Sequence, residues 1–90
     1  MSEIKIKKPT KEELDSLDLD SWNPWECEPS TFDWEYSAEE TAYVLEGRVR
    51  VSTDSGDVEF GKGDLVTFPK GMKCKWSVIE KIRKVYRFED

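Results

Sequence analysis

The stretch Gly63-Asp64-Leu65-Val66-Thr67-Phe68-Pro69-Lys70-Gly71 decides how this chain folds. Gly63 and Gly71 stand where the backbone turns tightly, since glycine reaches positive φ without a Cβ clash. Between them Leu65 to Phe68 is apolar or β-branched on both parities. That pattern belongs to a short strand with one face filling an interior and the other packed against a second layer. Pro69 fixes φ, donates no amide proton and closes the strand.

The same alternation of strand and turn continues outward in both directions. Upstream, Glu40-Thr41-Ala42-Tyr43-Val44-Leu45-Glu46-Gly47 is β-rich from Thr41 to Glu46 and ends at another turn glycine. Val49 and Val51 then alternate with Arg48, Arg50 and Ser52, Asp54-Ser55-Gly56 reads as a hairpin loop, and Val58 and Phe60 alternate with Asp57 and Glu59. Downstream, Met72 to Val78 alternates with Cys74 and Trp76 on one face. Lys81 to Phe88 forms a last strand with Ile82, Tyr86 and Phe88 on one parity. Earlier segments, Trp22 to Cys27 and Phe32 to Tyr36, are separated by Pro29-Ser30. The total is seven or eight short strands, the spacing of an all-β sandwich or barrel. Ahead of them lies a Lys-rich lead-in over residues 1–9, in which Ile4 and Ile6 suit an edge strand. Thr10-Lys11-Glu12-Glu13 reads as a capping box opening one or two helical turns to about Leu17, where Asp15, Asp18 and Asp20 stop the helix. The expected organisation is a single domain over residues 1–90, with lead-in and short helix in 1–20 and a β-barrel in 21–90.

Composition narrows the function. A chain of 90 residues builds a thin core, to which four Trp, four Phe and three Tyr contribute heavily. No run approaches the roughly 20 apolar residues of a membrane span, and the start lacks the apolar run of a signal peptide, so a cytoplasmic protein with no membrane role is expected. The count of histidines is zero, which removes imidazole-based triads and imidazole zinc sites. Cys27 and Cys74 make no C-x-x-C motif and are expected as free thiols. A net charge of −6 argues against a nucleic-acid partner. The charge is uneven: Glu12 to Glu40 holds eleven acidic and no basic side chains, while Lys70 to Arg87 holds seven basic ones against Glu80 alone. These segments are expected to be neighbours within the fold or across a dimer contact, with a basic patch for an anionic ligand or ordinary solvated charge as the alternatives.

The two glycine-bounded stretches together resemble the paired signature motifs of the cupins. Glu40 followed by six residues and Gly47 matches the end of the first motif, and Gly63, five residues and Pro69-Lys70-Gly71 match the start of the second, with 15 residues between Gly47 and Gly63. More finely, Trp34-x-Tyr36, Glu46-Gly47, Gly63 to Gly71, and Trp76 followed by Arg83-Lys84-Val85-Tyr86 are similar to the small single-domain cupins related to (S)-ureidoglycine aminohydrolase. The resemblance runs over roughly 65 residues from Trp22 to Tyr86. It implies a cupin (RmlC-like) jelly-roll β-barrel, commonly a homodimer, with any ligand in the barrel mouth.

In metal-binding cupins the first motif supplies two His and the Glu, and the second a third His. Those places fall here on Trp34, Tyr36, Glu40 and Cys74. Trp has no lone pair to offer a metal, neutral Tyr is a poor ligand, and Glu40 with Cys74 is too small a set for a catalytic metal. No metal and no cofactor are therefore expected. The lumen is expected to be lined instead by Trp34, Tyr36, Glu40, Cys74 and Trp76, the aromatic walls and few polar groups of a small-molecule site, and its rings could hold a cation against Glu40. Each residue also has a plainer role. The three aromatics can simply fill the barrel. Glu40 can be a structural carboxylate bonded to backbone or Tyr36, or paired with an Arg or Lys. Cys74 can be a small buried hydrophobe whose pKa the Glu40 charge raises. Cys27 reads as packing, and Trp22 and Trp25 as outer-layer core or dimer contact. Three functions follow: a metal-independent module binding an unidentified small organic molecule; a small hydrolase, lyase or isomerase using Glu40 as acid or base; or a structural domain whose barrel is filled and whose role is assembly.

Overall fold

A computed structural model describes residues 4–89; the first three residues of the lead-in and Asp90 lie outside the described residues. The elements, in chain order, are β1 (Lys5–Lys7), α1 (Lys11–Leu17), a single 3-10 turn (Leu19–Ser21), β2 (Asn23–Cys27), β3 (Thr31–Glu35), β4 (Glu39–Thr53), β5 (Gly56–Gly61), β6 (Leu65–Phe68) and β7 (Lys73–Glu89). All strand pairs are antiparallel. This is the all-β architecture with a short N-terminal helix that the strand spacing implies.

Two long strands organise the barrel. β4 pairs with β7 along most of its length. The early half of β4 also pairs with β6, and β6 with β1; the late half of β7 pairs with β2, giving the order β1-β6-β4-β7-β2. The late half of β4 pairs with β5 and the early half of β7 with β3, giving a second, four-stranded layer. Both layers therefore share the same two strands, which bend from one into the other.

That bend corrects the sequence reading, which split each long strand in two. The β4–β7 ladder shifts register between Val44 and Glu46, between Glu46 and Arg48, and between Arg48 and Val49. Such bulges turn a strand without ending it. Gly47 is the pivot rather than a chain reversal. Its φ is 96°, and a Cβ there would lie 2.2 Å from the Lys81 carbonyl oxygen. Only glycine allows β7 to pass this close. Gly63 (φ 89°) and Gly71 (φ 85°) do occupy turns, as expected.

Strand alternation puts Val44, Val49, Val51, Val66, Phe68 and Ile82 in full burial. The aromatic part of the core is continuous. Tyr36 stacks on Phe68 with ring centroids 4.7 Å apart, and Phe60 meets Phe68 and Trp76 edge-on, each at 5.8 Å. The helix stays outside this core. Thr10 caps it in a full capping box, Lys7 pairs with Glu13, and none of its residues is buried. Trp22, behind it, is buried under the Arg87 guanidinium at 5.1 Å.

The acidic and basic segments lie side by side within the chain. β2 and β3 flank β7, placing Glu26 3.7 Å from Arg83 and Glu28 3.5 Å from Lys81, with Asp33 opposite Lys75 and Glu35 opposite Lys73. Being exposed, such pairs contribute little energy. Among the described residues no helix is long and apolar enough to cross a membrane.

Candidate functional site

The site grows from side chains of equal parity on neighbouring strands. Phe32 of β3 is half-buried against the core, Trp34 shares its parity at the exposed end of the strand, and Tyr36 follows just beyond it. Tyr36 is pinned at both backbone atoms: its N–H donates to the Met72 carbonyl at 2.9 Å, and its carbonyl accepts from the Gly71 N–H at 2.6 Å. Its hydroxyl accepts from the Trp76 indole N–H at 3.1 Å. Burial pushes the phenol upward, reinforced by the Glu40 charge and then by Cys74. It is a fixed, neutral wall.

Glu40 is the first inward residue of β4, and Lys84 lies on the inward parity of β7 with Ile82, Tyr86 and Phe88. The Lys84 ammonium donates to Glu40 Oε2 at 2.7 Å, with side chains 7% and 5% exposed. The same ammonium sits over four rings: Trp76 at 4.7 Å, Trp25 at 5.0 Å, Tyr86 at 5.5 Å and Phe68 at 5.9 Å. Taking an ammonium out of water is costly, and the carboxylate and the ring faces offset that cost. Burial nonetheless wins, and holds the Lys84 pKa below the ordinary lysine value against the pull of Glu40.

Above this pair opens a cavity of about 100 Å³. Glu40 and Lys84 supply its charged groups, and Trp25, Phe32 and Tyr36 line it together with Trp76, Tyr86 and Phe88. Trp34 also lines it while remaining 49% exposed, so its ring stands half out of the cavity. The space is well below the roughly 300 Å³ of a drug-sized pocket and takes a molecule of only a few heavy atoms.

Of the residues singled out from the sequence, the structure brings Trp34, Tyr36, Glu40 and Trp76 to this cavity. Cys74 is placed elsewhere. It is buried in the core and borders an open depression with Asp33, Glu35 and Lys73. Its pKa is raised, as expected, but burial is the main cause; the charges of Asp33 and Glu40 are secondary. The cation that the rings hold against Glu40 is the chain's own Lys84, which is the plainer pairing with an Arg or Lys weighed for that carboxylate. Trp25, read as outer-layer core or dimer contact, instead meets Trp76 edge-on at 5.9 Å and lines the cavity. Cys27 and Cys74 are both free, and Cys27 packs against the core.

Sequence reasoning missed Lys84, Phe32, Tyr86 and Phe88 as cavity residues. The signal for Lys84 was present: it shares the parity of Ile82, Tyr86 and Phe88, where a lysine must find a buried acidic partner.

The donor set does not fit the metal that the cupin motif implies. Indole, a buried neutral phenol and a displaced thiol stand at the three imidazole places, and the remaining ligand, Glu40, is already bonded to an ammonium. Among the described residues no group of three or more Cys, Asp or Glu side chains is arranged to hold a metal ion.

Residues 14–86 match the model of the EutQ-like cupin domain. A DUF861-family protein from Thermotoga maritima has a solved structure that is 51% identical, covers 97% of this chain and 100% of its own, and superposes with a TM-score of 0.94. The EutQ protein of Clostridioides difficile is similar in structure at a TM-score of 0.65 and 33% identity, over 70% of this chain and 50% of that one. The curated C. difficile protein named acetate kinase EutQ is 34% identical over 61 residues, which span 68% of this chain but only 39% of that relative.

Proposed function

We propose, given that this chain belongs to the EutQ-like cupin family, that it is a metal-independent module of the cytoplasm that binds a small organic molecule in the barrel lumen. The observation that carries this reading is the buried Glu40–Lys84 pair at the edge of an aromatic cavity. Apolar walls with one fixed donor–acceptor pair are the make-up of a small-molecule site. Because the ring faces already hold the Lys84 ammonium, a cationic ligand has to displace it. The pair instead favours a compact neutral or anionic molecule that accepts from Lys84 or donates to the second oxygen of Glu40. In this reading Trp34, Tyr36 and Trp76 are contact walls, while Cys74 acts through packing.

The test is a screen of small carboxylates, amides and carbonyl compounds by thermal shift and by indole N–H signals in NMR spectra. Acetate belongs in the screen because the C. difficile relative is named an acetate kinase. A saturable response that Glu40→Gln abolishes supports the reading. No response across the set, from a protein shown to be folded, ends it and leaves the assembly role. Metal content measured without chelation is expected to be far below one ion per chain.

A second reading is favoured by the position of Glu40 itself, buried yet facing the cavity. Here the protein is a small hydrolase, lyase or isomerase, similar to the ureidoglycine aminohydrolase cupins, with Glu40 as acid or base. Turnover of a bound molecule, absent in Glu40→Gln, separates it from simple binding. Both readings include the homodimer expected from the family resemblance; elution at monomer mass across a concentration series counts against it.

A further inference from the structure

Lys84 has the surroundings of a reacting amine. Its side chain is 7% exposed, it borders the cavity, and its Nζ lies 2.7 Å from Glu40 Oε2. The rings of Trp76 and Trp25 hold it at 4.7 and 5.0 Å. Burial lowers its proton affinity, and Glu40 Oε2, at hydrogen-bond distance, is placed to take the ammonium proton as the amine reacts. Lysines desolvated in this way are the ones that condense with carbonyl carbons.

We propose that Lys84 captures a small aldehyde or ketone in this cavity as an imine, with Glu40 carrying the protons. This rests on the reading of the cavity as a ligand site. The balance is complete within the pair and the ligand. The neutral amine nitrogen forms a bond to the carbonyl carbon, and the oxygen takes the proton from Glu40. The nitrogen then returns one proton to Glu40, giving a carbinolamine. Glu40 protonates the departing hydroxyl, the C–O bond breaks and water leaves. The product is an iminium beside the Glu40 carboxylate, so one positive and one negative charge stand at the site before and after. No oxidant or reductant is consumed. A space of about 100 Å³ with aromatic walls restricts the partner to a carbonyl compound of a few heavy atoms.

The test uses propionaldehyde as probe and sodium cyanoborohydride to reduce any imine to a stable propyl-lysine, located by peptide mass mapping of the unaltered chain. One adduct is expected at Lys84. It should be the dominant adduct, exceeding that at any other lysine. Lys84→Arg, which keeps the charge beside Glu40, should lose it. Because mapping of the natural chain locates the adduct directly, the result does not depend on how the variant folds. Propionamide, of similar shape but unable to condense, is run in parallel by indole N–H shifts. Adducts spread over surface lysines, with Lys84 unmodified, overturn the imine; if propionamide still shifts the indole signals, the binding site itself stands. If neither compound perturbs the cavity, imine and binding site fall together.

Discussion

Glu40 and Lys84 meet across a four-residue offset on paired strands: Glu40 is opposite Phe88 and Lys84 opposite Val44, yet their side chains join at 2.7 Å beneath the aromatic cavity. Among the described residues each is the other's ion-pair partner, and both are buried. Removing one partner leaves the other as an uncompensated buried charge. Glu40→Leu and Lys84→Met are each expected to cost about 3–5 kcal/mol, and the double variant less than either alone. Urea unfolding of the three variants is the check. Additive losses contradict the pairing.

Tyr36→Phe keeps the ring on Phe68 but removes the hydroxyl that accepts from the Trp76 indole N–H. Losing this buried bond is expected to cost about 0.5–1.5 kcal/mol. The unfolding midpoint reads this directly, and no change means the bond contributes nothing to stability.

Gly47→Ala is expected to be far worse than Gly56→Ala. Both positions have positive φ, at 96° and 126°. Strain alone costs on the order of 1–3 kcal/mol, which is all Gly56→Ala should show because a Cβ there meets nothing within 4 Å. At position 47 the new methyl also runs into the Lys81 carbonyl at 2.2 Å, and the chain should be recovered unfolded or not at all. Similar soluble yields and melting temperatures for the two variants rule out the pivot.

Stability is expected to fall in alkali. The folded state keeps the Cys74 and Tyr36 protons above the ordinary values of 9.0 and 10.0, where the unfolded chain releases them. The native state then binds more protons than the unfolded one, so stability declines as pH rises through that range. Lys84 works the other way. Its folded pKa lies below 10.5, so its contribution improves as pH rises toward that value. Urea midpoints should therefore drop above pH 9.0, with a later onset in Cys74→Ala and a steeper drop in Lys84→Met. A midpoint that stays level to about pH 11 contradicts the assignment.

Much of this was legible from local chemistry. Thr10 and Glu13 announced the helix cap, Gly63 and Pro69-Lys70-Gly71 the turns around β6, and the alternation near Val49 and Val51 the hairpin to β5. Strand continuity was not legible. A glycine at position 47 looks the same whether it ends a strand or lets another backbone pass, and only the approach of Lys81 decides. The cavity was half legible. Motif alignment brought Trp34, Tyr36 and Glu40 forward, but Lys84 sits in the basic segment Lys70 to Arg87, whose charge points to the acidic segment as its partner rather than to the lumen. Parity alone distinguishes it, and parity becomes meaningful once the partner strand is known. Cys74 was aligned to a ligand position by spacing, whereas the actual packing turned it toward the core.

The passage of β4 and β7 through both layers has a kinetic consequence. Every other strand except β1 hydrogen-bonds to one of these two, so neither layer can peel away without breaking the shared ladder. Amide protons of Val44, Val49 and Val78 should exchange with deuterated solvent only when the whole molecule opens, whereas β1, held to β6 by three residue pairs, should exchange within its own local fraying.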